Sequence, residues 1–294
     1  MTLYAIWHKS SRWICALPPM SWRSNGWRGR FGCVDFKESR MRSQCKNSKL
    51  GRSIWRRFLD GTPDYLARHY WWAYLWHWGV WFFDHQPIIN AILFGQYKTL
   101  SHRALHDCMR DRPEGRMLQL TCAYGSMTPS LLKAMDDELY LMDVAEIQLT
   151  ATAKKLADRD KKRLLSARMN AEFLAYGDNV FATVLIFFLL HELPPEARQR
   201  SINEAIRVLR PGGRIVITEY GACPRKNWLW RFPLTRYVLQ RLEPFLESFW
   251  HVDLMAMLDE HAKKQGKVIR QVDEFHCFSG FYRVSVFELD ESTT

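Results

Sequence analysis

Acidic residues are scarce at the start of this 294-residue chain, and glycine is sparse throughout, with 15 residues. Residues 1–57 contain 13 basic and 2 acidic residues, so this segment carries +11, the net charge of the whole chain. Residues 58–294 are therefore neutral overall. A nucleic-acid-binding domain needs basic residues on the folded face that docks. The total charge does not indicate such a domain, and we predict no nucleic-acid partner.

Patterns of metal binding and disulfide bonding are also lacking. The 7 cysteines are scattered, with no CxxC pair and no pairing of cysteine and histidine at metal-ligand spacing. Their odd number favours a reducing compartment. No apolar run reaches about 18 residues, so the sequence does not predict a membrane-spanning helix. Neither metal ligands nor oligomeric state can be assigned from the sequence.

Residues 1–57 are rich in arginine and show no sustained helical or strand periodicity. We predict that they form a basic, disordered extension rather than part of the folded body. Three interpretations remain open: a mitochondrial-type transit peptide, a basic arm that contacts anionic lipid, or an extension without a role.

Aromatic residues dominate the next segment, residues 58–112, where five of the fourteen residues 70–83 are tryptophan. Short helices are the expected form. These helices can act as a lid packed on the core. Alternatively, they can form a surface that contacts lipid or an apolar substrate, because tryptophan favours the boundary between apolar and aqueous surroundings. Both interpretations stay open.

Strands and helices alternate from residue 113 to the end, which is typical of a parallel α/β sheet. We predict five β/α steps closed by an antiparallel pair of strands. The fourth strand, within residues 181–189, is a continuous apolar run, as expected of a central strand that is buried on both faces. Pro211-Gly212-Gly213 is expected to stop the helix that begins near Pro194.

The turn after the first strand is the most informative junction. It reads Thr121-Cys122-Ala123-Tyr124-Gly125, and Asp143 follows the second strand 18 residues beyond Gly125. A turn at this place can approach a nucleoside cofactor, and an acidic residue after the next strand can bind its ribose hydroxyls. An ordinary turn with an aspartate that caps a helix is the alternative.

Two further candidates follow the central strand, where open α/β sheets place their ligands. His191 can accept a proton during catalysis, and Glu192 can orient it or bind a cation. Alternatively, His191 caps the strand and Glu192 begins the next helix, where a negative charge suits the helix dipole.

The order of these motifs resembles that of class I S-adenosylmethionine-dependent methyltransferases. TCAYG stands in place of the glycine turn, Asp143 follows strand two, Asn170-Ala171-Glu172 occupies the position of the adenine-edge acidic residue, and LRPGG precedes strand five. More narrowly, YWWAYLW, FFDHQPIINAILFG, TCAYGSMTP, VLIFFLLHELP and RLEPFLESFW resemble the rhodoquinone biosynthesis methyltransferase-like family, relatives of the ubiquinone and menaquinone methyltransferases. The resemblance covers roughly residues 60–290.

This resemblance implies a Rossmann-like class I methyltransferase fold. Its mostly parallel seven-stranded sheet would have helices on both faces and an aromatic, helical amino-terminal lid. The implied domains are residues 1–57 (extension), 58–112 (helical cap) and 113–294 (cofactor-binding domain). The implied cofactor contacts are a larger set: Thr121, Cys122, Ala123, Tyr124, Gly125, Asp143, Asn170, Ala171 and Phe187.

The narrower family implies an unusual reaction, in which S-adenosylmethionine donates an amine that replaces a methoxy group of ubiquinone, with manganese assisting. Thr121 and Ala123 occupy the first two glycine positions, and Tyr124 would lie beside the amino-acid end of the cofactor. Tyr124, His191 and Glu192 are then the expected catalytic residues. The expected location is the cytoplasmic face of an inner membrane, or the mitochondrial matrix face. A conventional quinone or phenol methyltransferase, or a non-catalytic lipid- or quinone-binding protein, are the alternatives.

Overall fold

A seven-stranded sheet forms the centre of the computed structural model, which describes residues 61–223 and 232–290. The strand order is β3-β2-β1-β4-β5-β7-β6. The strands are β1 (Met117–Leu120), β2 (Leu139–Asp143), β3 (Leu164–Arg168), β4 (Phe181–Phe187), β5 (Leu209–Tyr220), β6 (Ile269–Cys277) and β7 (Tyr282–Leu289). β1 to β5 run parallel, whereas β7 pairs antiparallel with both β5 and β6. The five predicted parallel strands and the closing antiparallel pair are confirmed, but the described residues between β3 and β4 contain no helix.

Apolar runs form the middle of this sheet. Every residue of β1 and of β4 is buried, because helices cover both faces of a parallel sheet. The chain leaves β1 toward β2 on one side and later returns to β4 on the other. The carboxyl ends of β1 and β4 therefore flank the place where open α/β sheets bind ligands.

Helices fill the remainder of the described chain. Five precede the sheet, and we call them the amino-terminal helices: α1 (Asp64–His69), α2 (Trp71–Tyr74), α3 (His77–Phe83), α4 (Gln86–Ile92) and α5 (Tyr97–Met109). The others are α6 (Met127–Ala134), α7 (Glu146–Lys154), α8 (Asp158–Arg163), α9 (Pro195–Val208), α10 (Pro233–Leu242), α11 (Leu246–Trp250) and α12 (Leu254–Lys264). Within residues 61–223 and 232–290, no helix has the length and apolar character needed to cross a membrane.

The expected role of Pro211-Gly212-Gly213 is wrong. The helix ends at Val208, and β5 begins at Leu209 and continues through the three residues. Phe181 pairs with Leu209 but Thr183 pairs with Arg214, so the extra residues of β5 form an irregularity in the pairing. Gly212, at φ +69°, supplies a left-handed backbone there.

The predicted cap is helical over most of its length, because α1 to α5 lie within residues 64–109. The predicted extension, residues 1–57, lies outside the described residues. The three domain boundaries stay predictions.

Candidate functional site

The turn after β1 is fixed to the end of β2 by Asp143. Its carboxylate accepts hydrogen bonds from the backbone N–H of Cys122 at 2.8 Å and of Ala145 at 2.7 Å. A carboxylate at the end of β2 has the acceptor chemistry of a ribose ligand. Burial raises the pKa of Asp143 to about 6, although these hydrogen bonds oppose the shift. Thr121 has φ +70°, a backbone conformation that favours glycine.

Tyr124 is held by the amino-terminal helices. Its ring stacks on that of Tyr74, with centroids 5.4 Å apart and planes at 10°. Its hydroxyl donates to the carbonyl of Ala73 at 2.6 Å and accepts from Gln148 Nε2 at 3.0 Å. Tyr124, which is predicted to lie beside the cofactor, is therefore held in place by contacts to its ring and to its hydroxyl.

Gly125 is enclosed by groups from α5 and from the residues that directly follow α3 and α7. Its N–H donates to Asp84 Oδ1 at 2.9 Å, and Lys155 Nζ lies 2.7 Å from the same oxygen. A Cβ at Gly125 would lie 2.6 Å from the hydroxyl of Tyr97, and the glycine has φ +80°. Both its conformation and its surroundings require glycine here.

The third strand brings Asn170 to the same edge of the sheet. Met169 N–H donates to the carbonyl of Asp143 at 3.0 Å, so Asn170 and Ala171 follow directly beside β2. The Asn170 amide bonds within its own turn, to the N–H of Glu172 at 2.9 Å and to its carboxylate at 3.3 Å. A contact of Asn170 with adenine stays a prediction.

Phe187 ends β4 and is 4% exposed. Its ring meets the edge of Tyr97, with centroids 6.3 Å apart. The same tyrosine hydroxyl accepts from Ser126 N–H at 2.7 Å and donates to the carbonyl of Tyr124 at 3.0 Å. Phe187 thus forms part of the wall behind the turn, and its role in cofactor binding stays a prediction.

His191 lies among three glutamates just beyond β4. Its Nδ1 is 2.8 Å from Glu219 Oε2, and its Nε2 is 3.8 Å from Glu243 Oε2 and 4.0 Å from Glu192 Oε1. The side chains are 4%, 0%, 22% and 13% exposed for His191, Glu219, Glu243 and Glu192. We call these four residues the His191 cluster.

The cluster holds protons at neutral pH. Burial alone would lower the pKa of His191, but the negative charges of the glutamates, Glu219 first, raise it to about 9. Burial raises the pKa of Glu192 to about 8, although the positive His191 opposes this shift. Burial likewise raises the pKa of Glu243. Such perturbed groups at a sheet edge are typical of sites of proton transfer.

Tyrosines from the amino-terminal helices complete the cluster. Tyr74 donates to Glu192, and Tyr70 donates to Glu243 Oε2 at 3.0 Å. Because Tyr74 also stacks on Tyr124, one side chain connects the turn after β1 with the His191 cluster. Sequence reasoning placed His191 and Glu192 here but missed Tyr70, Tyr74, Glu219 and Glu243. Glu219 lies in the final pair of residues of β5, and that position could have identified it.

A buried hydroxyl without a partner lies near the cluster. Tyr282 is 0% exposed, and its hydroxyl finds no hydrogen-bond partner among the described residues. Its ring is 5.2 Å from that of Tyr220, which in turn is 4.8 Å from the His191 ring. Burial raises the pKa of Tyr282, and the charges of Cys277 and Glu243 add to the shift. The hydroxyl is therefore a buried donor, and a ligand oxygen could reach it only after the side chains around it move.

Manganese, which the resemblance implies, does not fit these residues. Across residues 61–223 and 232–290, no group of three or more histidine, cysteine, aspartate or glutamate side chains is arranged to hold a metal ion. In the His191 cluster, Nδ1 contacts Glu219, while Glu192 and Glu243 accept from tyrosines. We assign no step to a metal.

Solved structures share the fold. An O-methyltransferase family protein from Burkholderia thailandensis superposes with a TM-score of 0.51 at 10% identity, over 81% of this chain and 68% of that chain. The predicted class I methyltransferase fold, with its seven-stranded, mostly parallel sheet, is confirmed.

Sequence comparisons identify relatives of the same class. The ubiquinone/menaquinone biosynthesis C-methyltransferase UbiE of Vibrio campbellii is 28% identical over 136 residues, 45% of this chain and 52% of that protein. The UbiE of Yersinia enterocolitica is 30% identical over 136 residues, 45% of this chain and 53% of that protein. The chain spans about half the length of these curated relatives. The narrower resemblance to the rhodoquinone family is not confirmed by these matches. Residues 84–249, more than half of the chain, match the model of the ubiE/COQ5 methyltransferase family, and the chain belongs to that family.

Proposed function

We propose that this protein is an S-adenosylmethionine-dependent enzyme that modifies the ring of a polyprenylated quinone, with methylation of a ring carbon as its reaction. The observation that carries the proposal is the buried His191 cluster beside the turn after β1, where Nδ1 of His191 is 2.8 Å from Glu219. Membership of the ubiE/COQ5 methyltransferase family supports the reaction class. The names of the relatives support a quinone as the substrate.

The cofactor would lie along the ends of β1, β2 and β3. Asp143 would accept hydrogen bonds from ribose hydroxyls, and Asn170 would meet the adenine edge. Cys122 and Gly125 in the turn would face the amino-acid end. When bound, S-adenosylmethionine supplies an electrophilic methyl group.

The His191 cluster would accept a proton from a ring hydroxyl of the quinone substrate. A carbon nucleophile on a phenolic ring becomes strong when a ring hydroxyl loses its proton, because the oxygen charge is shared with the ring carbons. After the carbon gains the methyl group, it loses its own hydrogen as a proton, and the ring oxygen regains one, which restores the aromatic ring. As rising pH removes a proton from the cluster, His191 Nε2 or the carboxylate of Glu192 or Glu243 becomes a base that can accept the ring proton. Once substrate binding displaces the side chains that bury it, Tyr282 would donate its unpaired hydroxyl hydrogen to the other ring oxygen.

Amine transfer to ubiquinone is the second candidate, because the cofactor turn departs from a glycine turn. Thr121 and Ala123 replace glycines, and Tyr124 places a fixed phenol where the amino-acid end of the cofactor is expected. A bulky ring at this position can direct the α-amino group, rather than the methyl group, toward the quinone.

The deciding experiment uses the full chain with S-adenosylmethionine labelled differently in its methyl carbon and its amino nitrogen. One reaction contains a polyprenylated hydroquinone with an unsubstituted ring carbon, and the other contains ubiquinone, each with and without manganese. Mass spectrometry of the quinone then shows which label is transferred.

Methyl label on the hydroquinone supports carbon methylation. Nitrogen label in ubiquinone, with loss of a methoxy group, overturns it in favour of amine transfer. Neither label, together with no binding of S-adenosylmethionine in calorimetry, contradicts both and leaves a non-catalytic lipid- or quinone-binding protein.

A further inference from the structure

The amino-terminal helices expose an unusual amount of aromatic surface. The eleven large apolar side chains that are exposed in the described chain include six from residues 71–92. We call these six the tryptophan surface: Trp71 (46% exposed), Trp76 (51%), Trp78 (66%), Trp81 (58%), Phe82 (46%) and Ile92 (43%). Single exposed apolar residues are ordinary, whereas a concentration of them marks an interaction site.

Packing on the inner side of these helices keeps the tryptophans outside. Ala73 and Val80 are buried toward the body of the protein. Gly79 packs so closely on α2 that a Cβ there would lie 1.8 Å from the carbonyl of Trp72. Because α2 and α3 are in backbone contact, Trp78 and Trp81 on either side of Gly79 and Val80 cannot turn inward without separating the two helices.

Charge around the surface favours an anionic partner. Between Asp64 and Asp107 the sequence contains one acidic residue, Asp84, and its carboxylate already binds Lys155 and the N–H of Gly125. The same stretch contains Arg68, Lys98, Arg103 and five histidines; Arg68 lies 3.8 Å from Asp64, and Arg103 binds Asp107 and Asp273. Residues 1–57, which precede it directly in the sequence, carry +11.

We propose that the tryptophan surface docks on an anionic lipid bilayer, with its indole rings in the headgroup region. Indole has an apolar body and one N–H donor, which suits the boundary between acyl chains and water. Basic residues around an acid-poor aromatic face add attraction to anionic headgroups. The proposal rests on the exposure and charge of these helices and does not depend on which group the enzyme transfers.

The test measures co-sedimentation of the full chain with vesicles. One set contains phosphatidylcholine and phosphatidylglycerol at 3:1, and the other phosphatidylcholine alone. We expect the chain to bind the anionic vesicles, and Trp78→Glu to weaken that binding about tenfold, because it removes an indole and adds a charge of the wrong sign. Trp81→Glu provides a second variant, and circular dichroism confirms that each is folded.

Val268→Glu is the matched control. Val268 is 60% exposed, close to the 66% of Trp78. It precedes β6, where Ile269 pairs with the end of β7, so it lies at the opposite edge of the sheet from the turn after β1. We expect this variant to bind vesicles as the unchanged chain does.

The proposal is overturned if the chain does not bind anionic vesicles, or if Trp78→Glu and Val268→Glu bind equally well. Light scattering provides a further check. A dimer that Trp78→Glu converts to a monomer, without any vesicle binding, would assign the surface to a second copy of the chain instead.

Discussion

The proton affinity of His191 depends on a residue 28 positions away, Glu219. We expect Glu219→Gln to lower the pKa of His191, because the amide keeps an acceptor for the N–H of Leu190 but removes the largest source of negative charge. In the proposed reaction the rate rises with pH as the His191 cluster loses its proton. The rise should therefore move to lower pH in this variant, measured as the pH profile of kcat.

Tyr74→Phe should shift the pH profile of kcat to higher pH. Its hydroxyl donates to Glu192 and lowers the pKa of that carboxyl, so its removal raises the pKa further above 8. Because the cluster titrates as a unit, the apparent pKa is the quantity to compare. Shifts of both variants in the same direction would contradict the assignment of the cluster as proton acceptor.

Tyr282→Phe should increase the stability of the fold but weaken binding of the quinone. A buried hydroxyl without a partner costs about 1–3 kcal/mol, so its removal should stabilise the fold by about 1 kcal/mol. The proposed substrate would lose one hydrogen bond, and KM for the quinone should rise about fivefold. Urea unfolding and steady-state kinetics measure the two effects. Unchanged KM would remove Tyr282 from the site.

Some residues of the site could be predicted from the sequence, whereas others could not. Asp143 and His191 could be predicted because each directly follows a strand, and parallel strands end at one edge. Tyr74 and Glu192 are 118 residues apart, and Tyr70 and Glu243 are 173 apart. No local pattern encodes such pairs, since they form only when the helices before the sheet fold over its edge.

At the scale of an element, the turn after β1 can be tested with two glycines of the same conformation. Gly125 and Gly95 both have φ +80°, but a Cβ meets Tyr97 only at Gly125, while the space at Gly95 is open. Gly95→Ala should lower the free energy of unfolding by about 1 kcal/mol, the cost of the backbone conformation. Gly125→Ala should cost about 2–4 kcal/mol, because the clash is added.

Urea unfolding of both variants measures this difference. Equal losses would mean that Tyr97 yields easily and that the turn is less rigid than its contacts indicate. In the proposed function Gly125→Ala should also weaken S-adenosylmethionine binding, whereas Gly95→Ala should not.

The succession of elements was well determined by the sequence, because buried strands are continuous apolar runs and helices carry periodic ones. The strand Phe181–Phe187 lies within the apolar run at residues 181–189 that predicts it. The prediction that Pro211-Gly212-Gly213 stops the helix was wrong because the same residues suit both a turn and an irregularity within a strand. Only pairing with β4, a distant segment, decides between the two.

For the whole molecule, the His191 cluster should make stability fall as the solution becomes alkaline. The folded pKa values of His191 and Glu192, about 9 and about 8, lie above their ordinary values of 6.5 and 4.5. Between pH 7 and 8 the folded state thus binds protons that the unfolded state has lost. The stability that each group contributes is lost as pH rises through its folded pKa, at up to about 1.4 kcal/mol per pH unit.

Urea unfolding at pH 6, 7, 8 and 9 measures this decline. Glu192→Gln removes one of the two groups and should give a shallower slope between pH 7 and 8. Stability that is constant or rising over the same range would show that the cluster does not retain its protons. The cytoplasmic or matrix location stays a prediction at this scale.

The tyrosine–glutamate contacts between the amino-terminal helices and the sheet edge also constrain when the protein can finish folding during synthesis. Tyr70 leaves the ribosome 173 residues before its partner Glu243. At about 5–20 residues per second, this interval is about 10–35 s. Throughout it the tryptophan-bearing helices have no completed sheet edge to cover. The nascent chain therefore presents its tryptophan-rich segment early and for a long time, and a chaperone or a nearby bilayer would meet that segment before the site exists.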